Sequence, residues 1–442
     1  MRKLILIFTF WLVVATCHGM SGSMQQDSTW TLQTCIEYAF NRNIQIRKSE
    51  LSNERSGLYA EQAKAQRMPS LNGSFSENFT WSKDPLTGQA ALTGASGSNF
   101  SVNGGVTLYN ASKINNQIKQ TGLEIEAGKF SLETTKESIS LSILNAYLQV
   151  LYAEEQVKNS LKQIESTTGQ LNLAGERLAL KSISISDYAQ VKSQLASEKL
   201  TMANSESQLA IAKINLMQLM ELPVQEDFLI THPDLLDALN QSIIPDVKTV
   251  YETALSIKPQ IKNAEVNKQI AGLDERIAKA AYFPVLSANA GISTGYSSTA
   301  TDPYFSQLNS GMRPAVGFTL SIPIYQKKQV KTSVAVARLG YQDAELSETD
   351  TKNQLRKNIE QAVLDVSSAR IEYNASIEKY QATKESSALS DEKFKQGIIN
   401  SVDYLVTKTN MIVAESQLLQ SKYKLIFSYK ILDFYMGIPL SL

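Results

Sequence analysis

The sequence predicts a mainly α-helical protein with a membrane β-barrel part, built from two pseudo-repeats of long coiled-coil helices with four strands per chain. Three observations predict it. The chain repeats itself, each copy carries ladders of seven-residue spacing, and four segments alternate apolar and polar residues over the length that crosses a bilayer.

The repeat is read first, because it sets the frame. Residues 37 to 71 align without a gap onto 252 to 286 with twelve identities, among them Glu37/Glu252, Gln45/Gln260, Gly57/Gly272, Lys64/Lys279 and Pro69/Pro284. After a one-residue change of offset the echo continues, from Leu108-Tyr109 to Ile324-Tyr325, from Asp187-Tyr188 to Asp403-Tyr404 and from Met220-Glu221-Leu222-Pro223 to Met436-Gly437-Ile438-Pro439. Repeat 1 is placed at 23–222 and repeat 2 at 246–442, joined by a linker at 223–245 that holds Pro223, Pro233 and Pro245.

Residues 1–22 read as a secretory leader: Met1-Arg2-Lys3, an apolar run from Leu4 to Ala15, then small and polar residues from Thr16. The run is too short to span a bilayer, and no later stretch approaches the roughly 20 apolar residues of a transmembrane helix. Val14-Ala15-Thr16-Cys17 loosely resembles a lipobox, with Thr at a position that usually holds Gly, Ala or Ser. The 43 basic and 43 acidic side chains balance, and loss of Arg2 and Lys3 with the leader turns the balance slightly negative, which argues against nucleic acid as a partner. Cys35 is then the lone cysteine, so no intrachain disulfide forms. His232 remains as the lone histidine and reads as a surface residue, and no metal or cofactor site is expected. Neither a nucleophile with a positioned base nor a phosphate-cradling loop is found, so catalysis is not expected.

Helices are expected at about 30 to 67 and 187 to 221, with copies, each near half the length of the proline-free stretches 110 to 180 and 326 to 396. Those long stretches carry the ladders. Ile143, Val150, Val157, Ile164, Leu171 and Leu178 recur every seventh position beside the small residues Ala146, Ala153, Ser160, Thr167 and Ala174. Copy two repeats this at Ile359, Val366, Tyr373, Tyr380, Ser387 and Phe394. A second ladder follows each, Tyr188 to Leu216 and Tyr404 to Leu432. A 3.5-residue repeat with small seam residues predicts closely packed left-handed coiled coils, in which two half-length helices laid end to end cover one long partner.

Strands are expected at about 70–82, 99–109, 285–297 and 313–325. In the first, Leu71, Gly73, Phe75, Phe79 and Trp81 share one face, interrupted only by Glu77; in the second, Phe100, Val102, Gly104, Val106 and Leu108 do. The opposite faces are mostly Ser, Asn, Thr and Gly, as a barrel lumen requires, although four half-buried strands of a soluble sheet remain the alternative. Four strands cannot close a barrel, and open edges in lipid leave backbone groups unpaired, so the chain is expected to oligomerise. The segments 83 to 99 and 298 to 312 are expected to be long outer loops.

The tip of the second helical hairpin reads Phe394-Lys395-Gln396-Gly397-Ile398-Ile399-Asn400-Ser401-Val402-Asp403-Tyr404-Leu405. With the leader, the duplication and the strand pairs between long helices, it resembles the TolC-type outer-membrane efflux proteins over essentially the whole mature chain. The resemblance implies a homotrimer whose twelve strands close one barrel among outer-membrane lipids and whose twelve helices form a periplasmic tunnel. It implies a passive exit channel of a tripartite efflux or type I secretion system, opened at its tip by a periplasmic adaptor coupled to an inner-membrane pump of RND, ABC or MFS type. Carried over residue by residue, Asp403, Phe394 and Asp187 are gate or pore candidates. Lys181, Ser182, Ser186, Tyr188, Gly397, Asn400, Ser401, Tyr404 and Leu405 are adaptor-contact candidates. Ile399 and Val406 stand where some members carry an arginine and a second aspartate, which puts a hydrogen-bonded gate of that kind in question. Asp403 also reads as a helix cap and Phe394 as seam packing. In copy one Lys181 holds the Gly397 position, so that tip loses its glycine. A secreted coiled-coil adhesin explains the heptads and leader, but not four membrane-length strands.

Overall fold

The computed structural model describes residues 29–83, 92–223, 228–233 and 244–442; the leader with Cys17, the outer part of the first hairpin loop and most of the linker lie outside them. In chain order the elements are α1 (Leu32–Arg42), α2 (Ile44–Ala65), β1 (Ser70–Lys83), β2 (Leu92–Tyr109), α3 (Lys113–Ala179), α4 (Ile185–Leu219), α5 (Val247–Ile257), α6 (Pro259–Ala280), β3 (Val285–Ser297), α7 (Tyr304–Ser310), β4 (Arg313–Ser321), α8 (Gln329–Lys395) and α9 (Ser401–Tyr435).

The duplication returns as identical helix lengths: 11 and 22 residues in α1/α5 and α2/α6, 67 and 35 residues in α3/α8 and α4/α9. Each long helix spans about 100 Å at 1.5 Å per residue. α3 packs against α4 along one part and α2 along another, and α8 does the same with α9 and α6, while α6 also packs on α3 and so joins the repeats. Much of the expected seam is buried, namely Ile143, Val150, Ala153, Ser160, Thr167 and Ala174 in copy one and Ile359, Ala362, Val366, Ala369, Ser387 and Phe394 in copy two, whereas Val157, Ile164, Leu171, Leu178, Tyr373 and Tyr380 are half-buried.

The stretch expected as one helix over 30 to 67 is two, broken at Asn43. The Asn43 Oδ1 accepts from the Gln45 and Ile46 amides and so caps α2, while its Nδ2 donates to the Leu219 carbonyl at the end of α4, 2.8 Å away. One side chain thus joins the two half-length helices end to end. The copy-two equivalent is Lys258, followed by Pro259 at the first position of α6, where the missing N–H costs nothing. Lys258 is buried, donates to Glu137 at 3.1 Å and lies over the Phe434 ring at the end of α9. Burial lowers its pKa, against the opposing pull of Glu137.

The main core sits at this junction, where Leu32, Cys35, Ile36, Leu144, Tyr147, Leu216, Phe228 and Tyr423 pack together. The Tyr147 hydroxyl points at the Thr231 and Trp30 carbonyls, at 2.6 and 3.1 Å, and ties the chain after repeat 1 to the start of α1. His232 is exposed and stands 3.1 Å from Glu154.

The strands form one antiparallel sheet in the order β1-β2-β3-β4. Three boundaries differ from the sequence expectation. β2 begins at Leu92, so residues 92–99 of the expected first outer loop are strand. β4 ends at Ser321 and not near 325, because Pro323 has no N–H for the ladder. The expected loop 298 to 312 contains α7, which begins directly after Pro303.

Candidate functional site

The two functional regions lie at opposite ends of the long helices. At one end is the sheet. Its register pairs Leu71 with Gly104, Gly73 with Val102 and Phe75 with Phe100; Val102 with Ile292 and Gly104 with Ala290; and Leu286 with Leu320 and Ala290 with Val316. Directly opposed residues share a face. The four apolar faces therefore coincide as one surface, on which the Phe75 and Phe100 rings lie 4.8 Å apart. Leu71, Phe75, Val316, Phe318 and Leu320 are exposed there. The other face carries hydroxyls and amides: the Ser74 and Ser101 hydroxyls meet at 2.7 Å, Asn103 donates to Ser101 and Asn289 to Thr319. An apolar outer side and a hydrated inner side is the arrangement of a membrane barrel wall. β1 and β4 are edge strands of the chain.

At the other end are the two helical tips, and both close with the same turn. Past α8, Gly397 (φ 76°) leads Ile398 N–H to the Lys393 carbonyl and its own N–H to that of Phe394. Past α3, Lys181 (φ 56°) leads Ser182 N–H to Arg177 and its own N–H to Leu178. The glycine is lost in copy one, but its left-handed turn is kept. A side chain in that conformation costs about 1 kcal/mol relative to glycine. Lys181→Gly is accordingly expected to raise the thermal midpoint of the helical signal, and Gly397→Val to lower it, although a Cβ at 397 meets nothing within 4 Å. Equal midpoints in both variants would show that neither turn carries backbone strain.

The helices that follow are capped by residues the sequence did not single out as caps. Ser184 caps α4: its hydroxyl oxygen accepts from the Asp187 N–H at 3.0 Å, and Asp187 accepts from the Ser184 N–H in return. Asn400 caps α9 by accepting from the Asp403 N–H at 2.8 Å. Asp403 is therefore not the cap itself. It stands exposed in the first turn, where the helix dipole favours a carboxylate. Asp187 is otherwise engaged, because it also accepts from the Ser401 hydroxyl at 2.5 Å and so ties one hairpin to the other. The hydrogen bonds from Ser184 and Ser401 hold its pKa below the usual carboxylate value. The tie is thus fully present above that value and is lost as pH falls through the depressed one.

Phe394, a gate candidate, is buried, because it stacks on Tyr404 with ring centres 4.8 Å apart in a small core with Val191, Leu171, Ile399 and Leu405. Of the adaptor-contact candidates, Ser401 and Tyr404 are likewise buried. They face the neighbouring hairpin and not solvent. Lys181, Ser182, Ser186, Gly397 and Asn400 are exposed, whereas Tyr188 and Leu405 are half-buried. Two features of the tip went unseen in the sequence. Arg177 donates to the Phe394 carbonyl at 2.7 Å, placing a cation at the end of α8. Leu180, Ile185, Ile398, Val402 and Val406 form an exposed apolar fringe, from 50% to 79% accessible.

About one heptad inward lies a buried polar cluster. Lys408 on α9 stands 3.6 Å from Glu198 on α4, each side chain 5% exposed, and donates to Thr167 on α3. Gln194 donates to the same carboxylate, and on the next turn of α3 Gln170 donates to Asp391 of α8. Burial pushes the Lys408 pKa down, opposed by Glu198. All four hairpin helices contribute to this cluster.

The comparisons with known proteins agree with this architecture. The family described as "Outer membrane efflux protein" matches the chain twice, over residues 35–221 and 250–437. The pyoverdine export outer membrane protein OpmQ of Pseudomonas aeruginosa is 28% identical over 47% of this chain and 42% of its own length. This chain thus aligns with less than half the length of that relative. The outer membrane protein TolC of Escherichia coli strain K12 is 23% identical over 96% of this chain and 84% of that protein. Among solved structures, the CusC channel superposes with a TM-score of 0.80 at 18% identity, covering 94% of this chain and 96% of that one. The doubled match, the strand pairs between long helices and the common fold set the adhesin alternative aside. The chain belongs to the outer membrane efflux protein family.

Proposed function

We propose that the protein is the outer-membrane exit duct of a tripartite efflux or type I secretion system: a homotrimer whose twelve strands close one barrel and whose helices continue it into the periplasm. The observation that carries this reading is the sheet, apolar on one face and hydroxyl-lined on the other, with both edges open and two helices of roughly 100 Å attached. Edges in lipid must be paired, and joining β4 of one chain to β1 of the next pairs them all at once. The duct is passive, its energy coming from an inner-membrane pump through a periplasmic adaptor.

The exposed apolar fringe of Leu180, Ile185, Ile398, Val402 and Val406 is the surface that an adaptor tip would cover, with Gly397 and Lys181 shaping the turns beside it. Three copies of Asp403 would form an acidic ring at the narrow end, whereas Asp187 and Ser401 hold the two hairpins of one chain together. The names of relatives include export of pyoverdine and of toxins and drugs. A lining of Ser, Asn and Thr hydrates solutes without binding them tightly, so the choice of cargo would rest with the pump.

In planar bilayers, Asp403→Ala is expected to reduce cation selectivity and block by multivalent cations while leaving the trimer intact, because the carboxylates are the selecting charges. Unchanged selectivity would reduce Asp403 to a helix-dipole role.

A further inference from the structure

The short helix α7 between β3 and β4 is uncharged, with the sequence Tyr304-Phe305-Ser306-Gln307-Leu308-Asn309-Ser310, and the residues that hold it identify the side of the sheet it occupies. The Thr294 hydroxyl donates to the Leu308 carbonyl at 2.5 Å, and the Tyr296 ring packs on Tyr304 with centres 4.7 Å apart. Thr294 and Tyr296 belong to the apolar face, because they lie directly opposite Phe100 and Ser98, which in turn oppose Phe75 and Glu77. Ser98 is buried, although it lies on the face that would otherwise meet lipid. The Gln307 side chain pins the helix from the loop side, accepting from the Ser297 N–H at 2.9 Å and donating to the Asp302 carbonyl at 2.6 Å.

We propose that α7 lies against the outer wall of the barrel and not over its mouth, as an interfacial helix seated in the headgroup layer of the outer leaflet. This rests on the barrel reading above. The apolar face that α7 continues is the lipid-facing one, and the level of α7 along that face is set by Glu77, the first charged residue met on it going outward from Leu71, which stands in register with Tyr296 through Ser98. A carboxylate marks where hydrocarbon ends. From Leu286 to Thr294 the strand rises about 26 Å, or about 20 Å across the bilayer at a tilt near 40°, so α7 falls at the outer boundary. There Tyr304, 36% exposed, packs on the Tyr296 ring while Phe305 projects outward, 82% exposed, with its ring edge-on to Tyr304 at 5.5 Å. An uncharged helix with aromatic side chains facing out and Ser, Gln and Asn around them suits the ester and headgroup zone, where aromatic rings concentrate at barrel rims. With no cation on α7, the contact is with the interface as such and not with lipid phosphate.

The test is spin-label depth in proteoliposomes of phosphatidylethanolamine and phosphatidylglycerol. A nitroxide would be placed on Phe305→Cys, with Phe318→Cys as the lipid-facing reference and Ser74→Cys as the lumenal one; native Cys35 is fully buried. Phe305 is expected to show a ratio of oxygen to water-soluble nickel-complex accessibility between those of the two references, and line broadening by a nickel-chelating lipid at headgroup depth. A label at 305 that matches Ser74, or that is freely water-exposed and untouched by the chelating lipid, would overturn the placement of α7. If Phe318 itself failed to report lipid, the barrel reading would fall instead.

Discussion

Lys408→Met is expected to destabilise the hairpin pair by about 3–5 kcal/mol, because it leaves the Glu198 carboxylate buried without its cation. Glu198 already has one oxygen with no hydrogen-bond partner, and Thr167 and Gln194 cannot neutralise a charge. The double variant Lys408→Met with Glu198→Leu removes both charges at similar volume and is expected to recover most of the loss, since a paired buried charge often contributes little over a well-packed apolar core. Thermal unfolding of the helical signal and trypsin resistance of the detergent-solubilised protein report both. A single variant as stable as the parent would mean that water reaches the pair and that the tips are more open than the structure shows.

Val316→Arg should block formation of the heat-resistant barrel, whereas Thr319→Arg should leave it largely intact. Both residues are exposed on β4, three positions apart and on opposite faces. Val316 opposes Ala290 near the middle of the apolar band, where an arginine costs about 2–4 kcal/mol per chain. Thr319 opposes Ser287 and faces the hydroxyl-lined side, where a charge stays hydrated, at the loss of one 3.3 Å hydrogen bond from Asn289. The readout is the fraction of heat-modifiable species on gels from membranes. Equal failure of both variants, or failure of Thr319→Arg alone, would mean that the faces are assigned the wrong way round.

The sequence made the large architecture legible because duplication, seven-residue spacing and strict alternation are each long-range patterns that few folds satisfy together. Boundaries were less legible where a single residue decides them. Asn43 breaks a helix by capping the next one, and Pro323 stops a strand at Ser321, whereas the equivalent stretch of copy one runs on to Tyr109. α7 was hidden because seven residues rich in Ser, Asn and Gln carry no periodic signal. At the tips, the turn residues and first-turn aspartates were visible, but their partners were not. That Asp187 reaches Ser401, 214 residues further along the chain, depends on how the two hairpins meet, and that Phe394 stacks on Tyr404 depends on how α8 and α9 pack within one hairpin. The buried cluster did leave a trace: Glu198 stands three residues after Leu195, in a ladder whose equivalent places hold Val191 and Ser205, so a charge sits on the seam. Its partner Lys408 lies off the seam and could be found only in the folded chain.

The most direct test of the central claim is the mass of the purified mature protein in detergent, by light scattering corrected for bound detergent. The sheet has two open edges and four strands, too few to enclose a pore, so three chains are needed to give twelve strands around a lumen. A mass of three protomers is the predicted result. A stable monomer or dimer that remains inserted in membranes would contradict it, because the edges of β1 and β4 would then have to be satisfied within a single chain or across a single pair.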